Sequence, residues 1–255
     1  VLSETAPDAS WSIPAEMPKL GDHEAHVWCV PVADGVSERW VESLSSDERE
    51  TMQRFRHDRD AVRYATGRAA LRILLGRYLE SSARAIVFDR TCRYCGASHG
   101  KPRVDNRRDL DFNLSSSDQI VLIAVAAGCV VGVDVETTSR IEATAMAALV
   151  LAPSESRTFD NVGARAFDLV QTWCCKEAVL KATGHGLGID PRSIVVAPED
   201  ERFRVVDAPA DHAELLDFAI LRLALRSGYA GAIALRPLPP RLRLFAASHD
   251  QLLDA

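Results

Sequence analysis

The chain has 255 residues, 47% hydrophobic and 26% charged, which is the balance of an ordinary globular protein with length enough for one large or two small domains. Lys and Arg total 30 against 36 Asp and Glu, a formal net charge of −6, so no nucleic-acid partner is expected: such a partner calls for a basic excess to neutralise phosphates. The longest apolar run, residues 120–133, contains Gly128 and Gly132 and falls short of the ~20 residues that span a bilayer, so no membrane partner is expected.

The opening VLSETAPDAS shows no basic cluster followed by an apolar stretch, and no secretory signal is expected. Vicinal Cys174 and Cys175 cannot pair with each other without strain. With no other mark of export, Cys29, Cys92, Cys95, Cys129, Cys174 and Cys175 are read as reduced thiols in a cytoplasmic protein.

Residues 1–21, with Pro7, Pro14 and Pro18, read as an N-terminal arm. AHVWCVP at 25–31 predicts a strand. Ser45-x-x-Glu48 has the form of a capping box, and apolar residues then recur at three- and four-residue spacings to about residue 79, predicting one amphipathic helix or two in succession. A strand is expected at 85–88, then an irregular stretch at 89–111 rich in Arg, Asp and Cys.

The β-branched runs at 120–126 and 130–135 predict a hairpin or two adjacent strands. Helices are expected at 142–151 and 167–183, the second ended by Gly184. Strands are expected at 194–197, 203–206, 219–225 and 230–235. The layout suggests two comparable α+β halves, 22–128 and 129–240, followed by a tail at 241–255.

Several constellations carry chemistry. In VVGVDVE, Asp134 and Glu136 share one side of a strand while Val133 and Val135 face the core. Two carboxylates held together need a cation or raised pKa values, and Mg²⁺ takes such oxygen ligands; a solvated strand end would look the same. In WCCKEAVLKATGHGL, Trp173, Glu177 and Lys181 lie along one helix face with Lys176 at its edge, a pattern that a core-boundary Trp with a helical Glu–Lys pair would also give.

Arg59, Arg63, Arg68, Arg72 and Arg77 against the single acid Asp60 make a basic stretch suited to phosphate, or an ordinary solvated face. His99-Gly100-Lys101-Pro102 is a turn that a ligand can approach, and Phe112-Asn113-Leu114-Ser115-Ser116-Ser117 ends in three hydroxyl donors. Cys92-x-x-Cys95-x-x-x-His99 offers three of the four ligands of a structural zinc site, with His23, His26 or Cys29 as candidates for the fourth.

Taken together, GKP (100–102), FNLSSS (112–117), GVDVE (132–136) and WCCKEAVLKATGHGL (173–187) resemble the Sfp-type 4′-phosphopantetheinyl transferase family in order and approximate spacing, and RFRHDRDAVRYATGR (54–68) is similar to its N-terminal basic helix. The resemblance covers about residues 25–235. It implies an α+β fold, a pseudo-dimer of two similar halves with the active site in the cleft between them. It also implies coenzyme A as co-substrate, Mg²⁺ as cofactor, and transfer of the phosphopantetheine arm to a serine of an apo acyl or peptidyl carrier protein, releasing 3′,5′-ADP.

By matching position, the resemblance makes Asp134, Glu136 and Glu177 the metal ligands. Glu177 is also the general base, and Lys181 a phosphate ligand and proton donor. Lys176 becomes a neighbouring phosphate contact, Lys101 and Pro102 the lining of the adenine pocket, Ser115 and Ser116 phosphate contacts, and Arg63 the partner of the 3′-phosphate, with Arg49, Arg54 and Arg68 as weaker candidates. A single chain then holds a complete site, and a monomer is expected.

The family pattern F-N-x-S-H-S has His where this chain has Ser116, which implies weaker coenzyme A binding. Two other functions fit the same acids: a non-catalytic module that binds coenzyme A or a carrier, and a metal-dependent phosphodiesterase acting on a holo carrier.

Overall fold

Side-chain alternation in four strands and one obligatory glycine decide how this chain layers. The computed structural model describes residues 11–254 apart from 33, 106, 108, 140–142, 163–165, 200 and 201. Residues 1–10 of the expected arm, and Glu142 at the expected start of a helix, lie outside these.

In chain order the first half comprises β1 (Glu24–Pro31), α1 (Glu38–Ser43), α2 (Ser46–Gln53), α3 (Asp58–Tyr78), β2 (Phe88–Asp89), β3 (Arg103–Val104), β4 (Leu110–Ser117) and β5 (Ile120–Ala127). The second comprises β6 (Val130–Thr137), α4 (Ala143–Val150), α5 (Pro153–Val162), α6 (Ala166–Thr183), β7 (Val195–Glu199), β8 (Arg202–Asp207), β9 (Ala219–Arg222) and β10 (Tyr229–Arg236). The chain ends in β11 (Arg241–Ala246) and α7 (His249–Asp254).

The capping box forms with both arms: Ser45 Oγ accepts from the Glu48 amide, and the Glu48 carboxylate accepts from the Ser45 amide. The expected helix divides at residues 54–57 into α2 and α3. The strand expected at 85–88 is instead a 3-10 turn at Ala83–Ala85 followed by the short β2, which pairs with β3.

The apolar runs at 120–126 and 130–135 are adjacent strands but not a hairpin. β5 lies in a four-stranded sheet of order β11-β1-β5-β4, and β6 lies at the edge of a five-stranded sheet of order β6-β10-β9-β8-β7. Gly128, with φ of +68°, makes the turn that carries the chain from one sheet to the other.

Residues 241–246 are no tail. β11 pairs in parallel with β1, from Glu24 opposite Arg241 to Cys29 opposite Ala246, so the first sheet is completed by the end of the chain. RLRLFA alternates accordingly: Leu242, Leu244 and Ala246 pack between the sheets, while buried Phe245 contacts His26 and Trp28 on the other face. The described part of the N-terminal segment also bridges the halves. Trp11 Nε1 donates to Ala224 O at 2.6 Å, and the Ser12 amide donates to Leu244 O at 3.0 Å.

Four layers result. α3 covers the outer face of the first sheet through Ala65, Ala69, Leu71 and Leu74 against Trp28, Phe112 and Ile123. The inner faces meet through Val27, Leu122 and Ala124 against Val131, Val133, Val135 and Ile233. α6 covers the outer face of the second sheet through Ala178, Val179 and Ala182 against Ala230, Ala232 and Ala234.

The seating of α6 depends on Gly132. A Cβ there would lie 2.0 Å from Ala178 O and 2.5 Å from the Ala182 amide nitrogen, so only glycine lets the helix backbone rest on β6. Gly132→Ala is expected to destabilise the protein by about 3 kcal/mol, as overpacking against immovable backbone does. Urea unfolding measures this, and wild-type stability in the variant would show that α6 does not seat at this point.

Candidate functional site

β6 has β10 on one side only, and its other edge faces β4. The alternating polar residues of β4 meet the amides that this edge leaves open: Asp111 Oδ2 accepts from the Val131 amide at 2.8 Å, Asn113 Oδ1 from Val133 at 3.0 Å, and Ser117 Oγ from Thr137 at 3.1 Å. The two halves are thereby stitched in register, and the acids of β6 are brought beside the hydroxyls of β4.

Asp134 is 2% exposed. Its Oδ1 accepts from Ser115 Oγ at 2.8 Å and from Lys181 Nζ at 2.6 Å, and Lys181 also donates to Ser115 Oγ at 2.9 Å. Glu136 Oε2 accepts from Ser117 Oγ at 2.8 Å. Burial, and after it the charge of Asp134, raises the Glu136 carboxyl above its ordinary range, while Lys181 and Arg63 oppose the rise. Glu177 precedes Lys181 by one turn of α6. Burial, reinforced by Asp134 and Glu136 and opposed by Lys181, pushes its carboxyl up to about 6. Three acids from two elements therefore lie within electrostatic reach of one another.

Asp134 Oδ2 and Glu177 Oε1 are buried without a hydrogen-bond partner. A buried carboxylate oxygen with no donor is costly, and a hard cation is the group whose chemistry fits such oxygens. The donor set suits Mg²⁺: oxygen only, with carboxylates few enough to leave positions for phosphate. The triad is not among the clusters whose donor atoms already lie within 4.8 Å of one another; Asp134 is drawn instead to Lys181.

Residues 34–128 match the N-terminal module of 4′-phosphopantetheinyl transferases, and residues 130–234 match the 4′-phosphopantetheinyl transferase superfamily. The chain is 32% identical to the 4′-phosphopantetheinyl transferase HetI of Nostoc over 208 residues, covering 77% of this chain and 84% of that protein. The chain belongs to the 4′-phosphopantetheinyl transferase superfamily. The transferase Sfp of Bacillus subtilis is 25% identical over 188 residues, 72% of this chain and 79% of Sfp. The L-aminoadipate-semialdehyde dehydrogenase-phosphopantetheinyl transferase of Schizosaccharomyces pombe is 29% identical over 169 residues, 60% of this chain and 64% of that protein. The two matched segments meet at the turn between the two sheets, consistent with two α+β halves.

The phosphopantetheinyl transferase motifs are thus gathered where β4, β6 and α6 meet, but not every residue expected at the site serves it. Lys176 is fully buried, and its ammonium donates to Val150 O at 2.7 Å, to Pro191 O at 3.1 Å and to Glu155. All three of its protons are taken, so it clamps α6 to α5 rather than contacting phosphate; it follows Trp173 by three residues but points into the core. Lys101 likewise turns inward, to Asp111, Val131 O and Ala182 O, and joins the HGKP turn to β4, β6 and the end of α6. What this turn presents outward is its backbone and half-buried Pro102.

Ser115 and Ser116 lie on opposite faces of β4, Ser115 against Asp134 and Ser116 on the side packed against α3. Arg63 pairs with Asp60 at 3.0 Å and lies within electrostatic reach of Glu136.

The other arginines disperse. Arg72 is buried on Glu48, Ala83 O and Ile86 O, Arg77 donates to Leu252 O, and Arg68 lies over Tyr64. Arg49 donates to Leu44 O and exposed Arg54 pairs with Glu50. Sequence reasoning missed Asp111, Asn113 and Ser117 as the stitch to β6, although LDFNLSSS alternates in a way that signals it.

For the cysteine motif, none of the proposed fourth ligands joins Cys92, Cys95 and His99. His26 Nδ1 lies 2.7 Å from Tyr78 Oη, Cys29 is buried in β1, and His23 lies beside Gly128. All six cysteines are free.

The raised Glu177 carboxyl has a stability consequence. Its folded-state value of about 6 exceeds the ordinary 4.5, so the neutral acid is tolerated at low pH and stability is lost as pH rises through about 6. Glu177→Gln should therefore raise the Tm of the metal-free protein at pH 8 by roughly 2 °C after allowance for solvent screening, with the gap narrowing below pH 6 and closing only below the ordinary value of 4.5, by about pH 4. Thermal melts across that range check this; an equal gap at both ends would count against it.

Proposed function

We propose that this chain transfers the 4′-phosphopantetheine arm of coenzyme A to the serine hydroxyl of an apo acyl or peptidyl carrier protein, releasing 3′,5′-ADP, with Mg²⁺ as cofactor. The observation that carries this reading is the pair of buried, partnerless oxygens on Asp134 and Glu177 beside the Lys181 ammonium. It is an anionic cluster with one cation beside it, as a site for a metal and a pyrophosphate requires.

Asp134, Glu136 and Glu177 would hold the Mg²⁺, which when bound neutralises charge on the pyrophosphate and steadies the leaving ADP. Glu177 accepts the carrier serine's proton, directly or through a water. The serine oxygen bonds to the phosphorus bearing the pantetheine arm, and the bond from that phosphorus to the oxygen of ADP breaks. Lys181 contacts the phosphates and supplies a proton to the departing oxygen. Arg63, carried by the opposite half, would meet the 3′-phosphate. Ser115 orients both Asp134 and Lys181, and Pro102 lines the adenine side.

One complete site per chain supports a monomer. The acidic charge balance speaks against nucleic acid, and among the described residues no helix is long and apolar enough to cross a membrane. Six free thiols support a cytoplasmic setting.

Intact mass spectrometry of an apo carrier incubated with the chain, coenzyme A and Mg²⁺ tests the reading. A mass gain of one phosphopantetheine, abolished by EDTA, is expected. Asp134→Ala and Glu177→Ala should each lower the rate by at least ~10²-fold while the fold survives. Binding of coenzyme A with no mass gain would indicate a binding module, and mass loss from a holo carrier a phosphodiesterase.

Ser116→His tests the departure from the family pattern. On the α3 side of β4 it would restore a cationic donor, and the KM for coenzyme A should fall several-fold, with an unchanged or higher KM counting against the idea.

A further inference from the structure

The loop between β2 and β3 is folded around three metal-binding side chains that the transfer reaction does not use. The donor atoms of Cys92, Cys95 and His99 all lie within 4.8 Å of one another, and Cys95 Sγ is 2.9 Å from His99 Nε2. The backbone around them is closed and regular. The Gly96 amide donates to Cys92 O at 2.8 Å, the Cys92 amide donates to Ala97 O at 2.8 Å, and Gly96 adopts a φ of +74° that sends the chain back over the cysteines.

The Gly100 amide donates to Arg90 O at 2.7 Å, and a Cβ on Gly100 would lie 2.7 Å from the Cys92 Cα, so the returning turn must bear glycine where it delivers His99 to the thiols.

We propose that Cys92, Cys95 and His99 hold a Zn²⁺ ion whose fourth position, on the exposed side of Cys95 and His99, is taken by water. Two soft sulfurs and one imidazole suit zinc rather than magnesium or calcium. Zinc–sulfur and zinc–nitrogen bonds of about 2.3 Å and 2.0–2.1 Å need only small rotamer movements from the spacing present. On binding, both thiols release their protons and ligate as thiolates, and His99 ligates as the neutral ring.

The second gathered cluster, His185, His212 and Glu214, lacks thiols, and its His185 is already engaged by Thr183 Oγ1 at 2.8 Å and stacked on Tyr94. That stack gives the zinc loop a purpose. Tyr94, between the two cysteines, rests 4.2 Å from the ring of His185, just beyond the end of α6, so the ion fastens a loop of the first half against the helix that carries Glu177 and Lys181.

The test is the metal content of the full chain after dialysis against zinc-buffered solution. One zinc per chain is expected, falling to below about a tenth in Cys92→Ser and Cys95→Ser and unchanged in His212→Ala. Cobalt substituted for zinc should show a thiolate-to-cobalt charge-transfer band that Cys95→Ser removes.

Should the cysteine variants fail to fold, titration of the folded wild type with an organomercurial keeps the question open to decision, because zinc must leave in step with modification of these thiols. No zinc in the wild type, one full equivalent retained in folded cysteine variants, or loss only in His212→Ala would overturn the assignment. None of these readings depends on phosphopantetheine transfer, so failure here and failure of the transferase reading are separable.

Discussion

The structure turns on the open edge of β6. Its Val131, Val133 and Thr137 amides have no strand to receive them, and an unpaired edge is both costly when buried and prone to pair wrongly. The chain satisfies them with side chains from β4, at positions twenty residues earlier in each case: Asp111, Asn113 and Ser117. A backbone ladder there would have merged the two sheets into one. Side-chain receipt keeps them as separate layers and leaves a seam lined with oxygen atoms. Ser115 completes the row but turns to Asp134 instead of an amide, so the element that joins the halves also aims an acid of the site.

Across β6 from that seam, Gly132 brings the α6 backbone into contact, and one turn spacing along α6 then sets Glu177 and Lys181 over Asp134 and Glu136. The arrangement is expensive for the empty protein. Three acids repel one another, two of their oxygens have no donor, and among the described residues only Lys181 forms an ion pair with any of them. Such stored repulsion would be relieved by the Mg²⁺ proposed for this site. Stability given up at the site is the usual companion of a preorganised electrostatic centre.

Much of this was legible in sequence. The strand and helix patterns located β1, α3, β5, β6, α6 and β10, because period and composition dominate where elements are long and buried. GVDVE and the Glu177/Lys181 face were readable because alternation and helical spacing fix which side chains share a side. Two things were not readable. Whether β5 and β6 pair depends on how the chain twists at Gly128, and adjacent β-branched runs look alike in one sheet or two. RLRLFA alternates plainly as a strand, yet the three prolines before it read as an ending, and no local signal tells that its partner is β1 at the other end of the chain.

Lys176 and Lys181 show where spacing alone stops. They sit five residues apart on one helix, and each is bound to a carboxylate, yet one is fully buried structure and the other lies at the mouth of the site. The difference lies in their partners. Glu155 belongs to α5, a helix that sequence analysis did not anticipate, and it is itself held by the Ala152 and Val196 amides, so it is a fixed, fully employed acceptor. Lys176 adds two carbonyls to that contact and has no proton left to give.

Asp134, by contrast, keeps one oxygen without a donor, and among the described residues Lys181 donates to Asp134 and Ser115 alone, so both ends of that pair could exchange partners with the metal and phosphate proposed for the site. A buried ion pair whose remaining valences are all filled is a clamp. One whose remaining valences face an unpaired carboxylate is a site, and the distinction is made by the groups around the pair rather than by the pair itself.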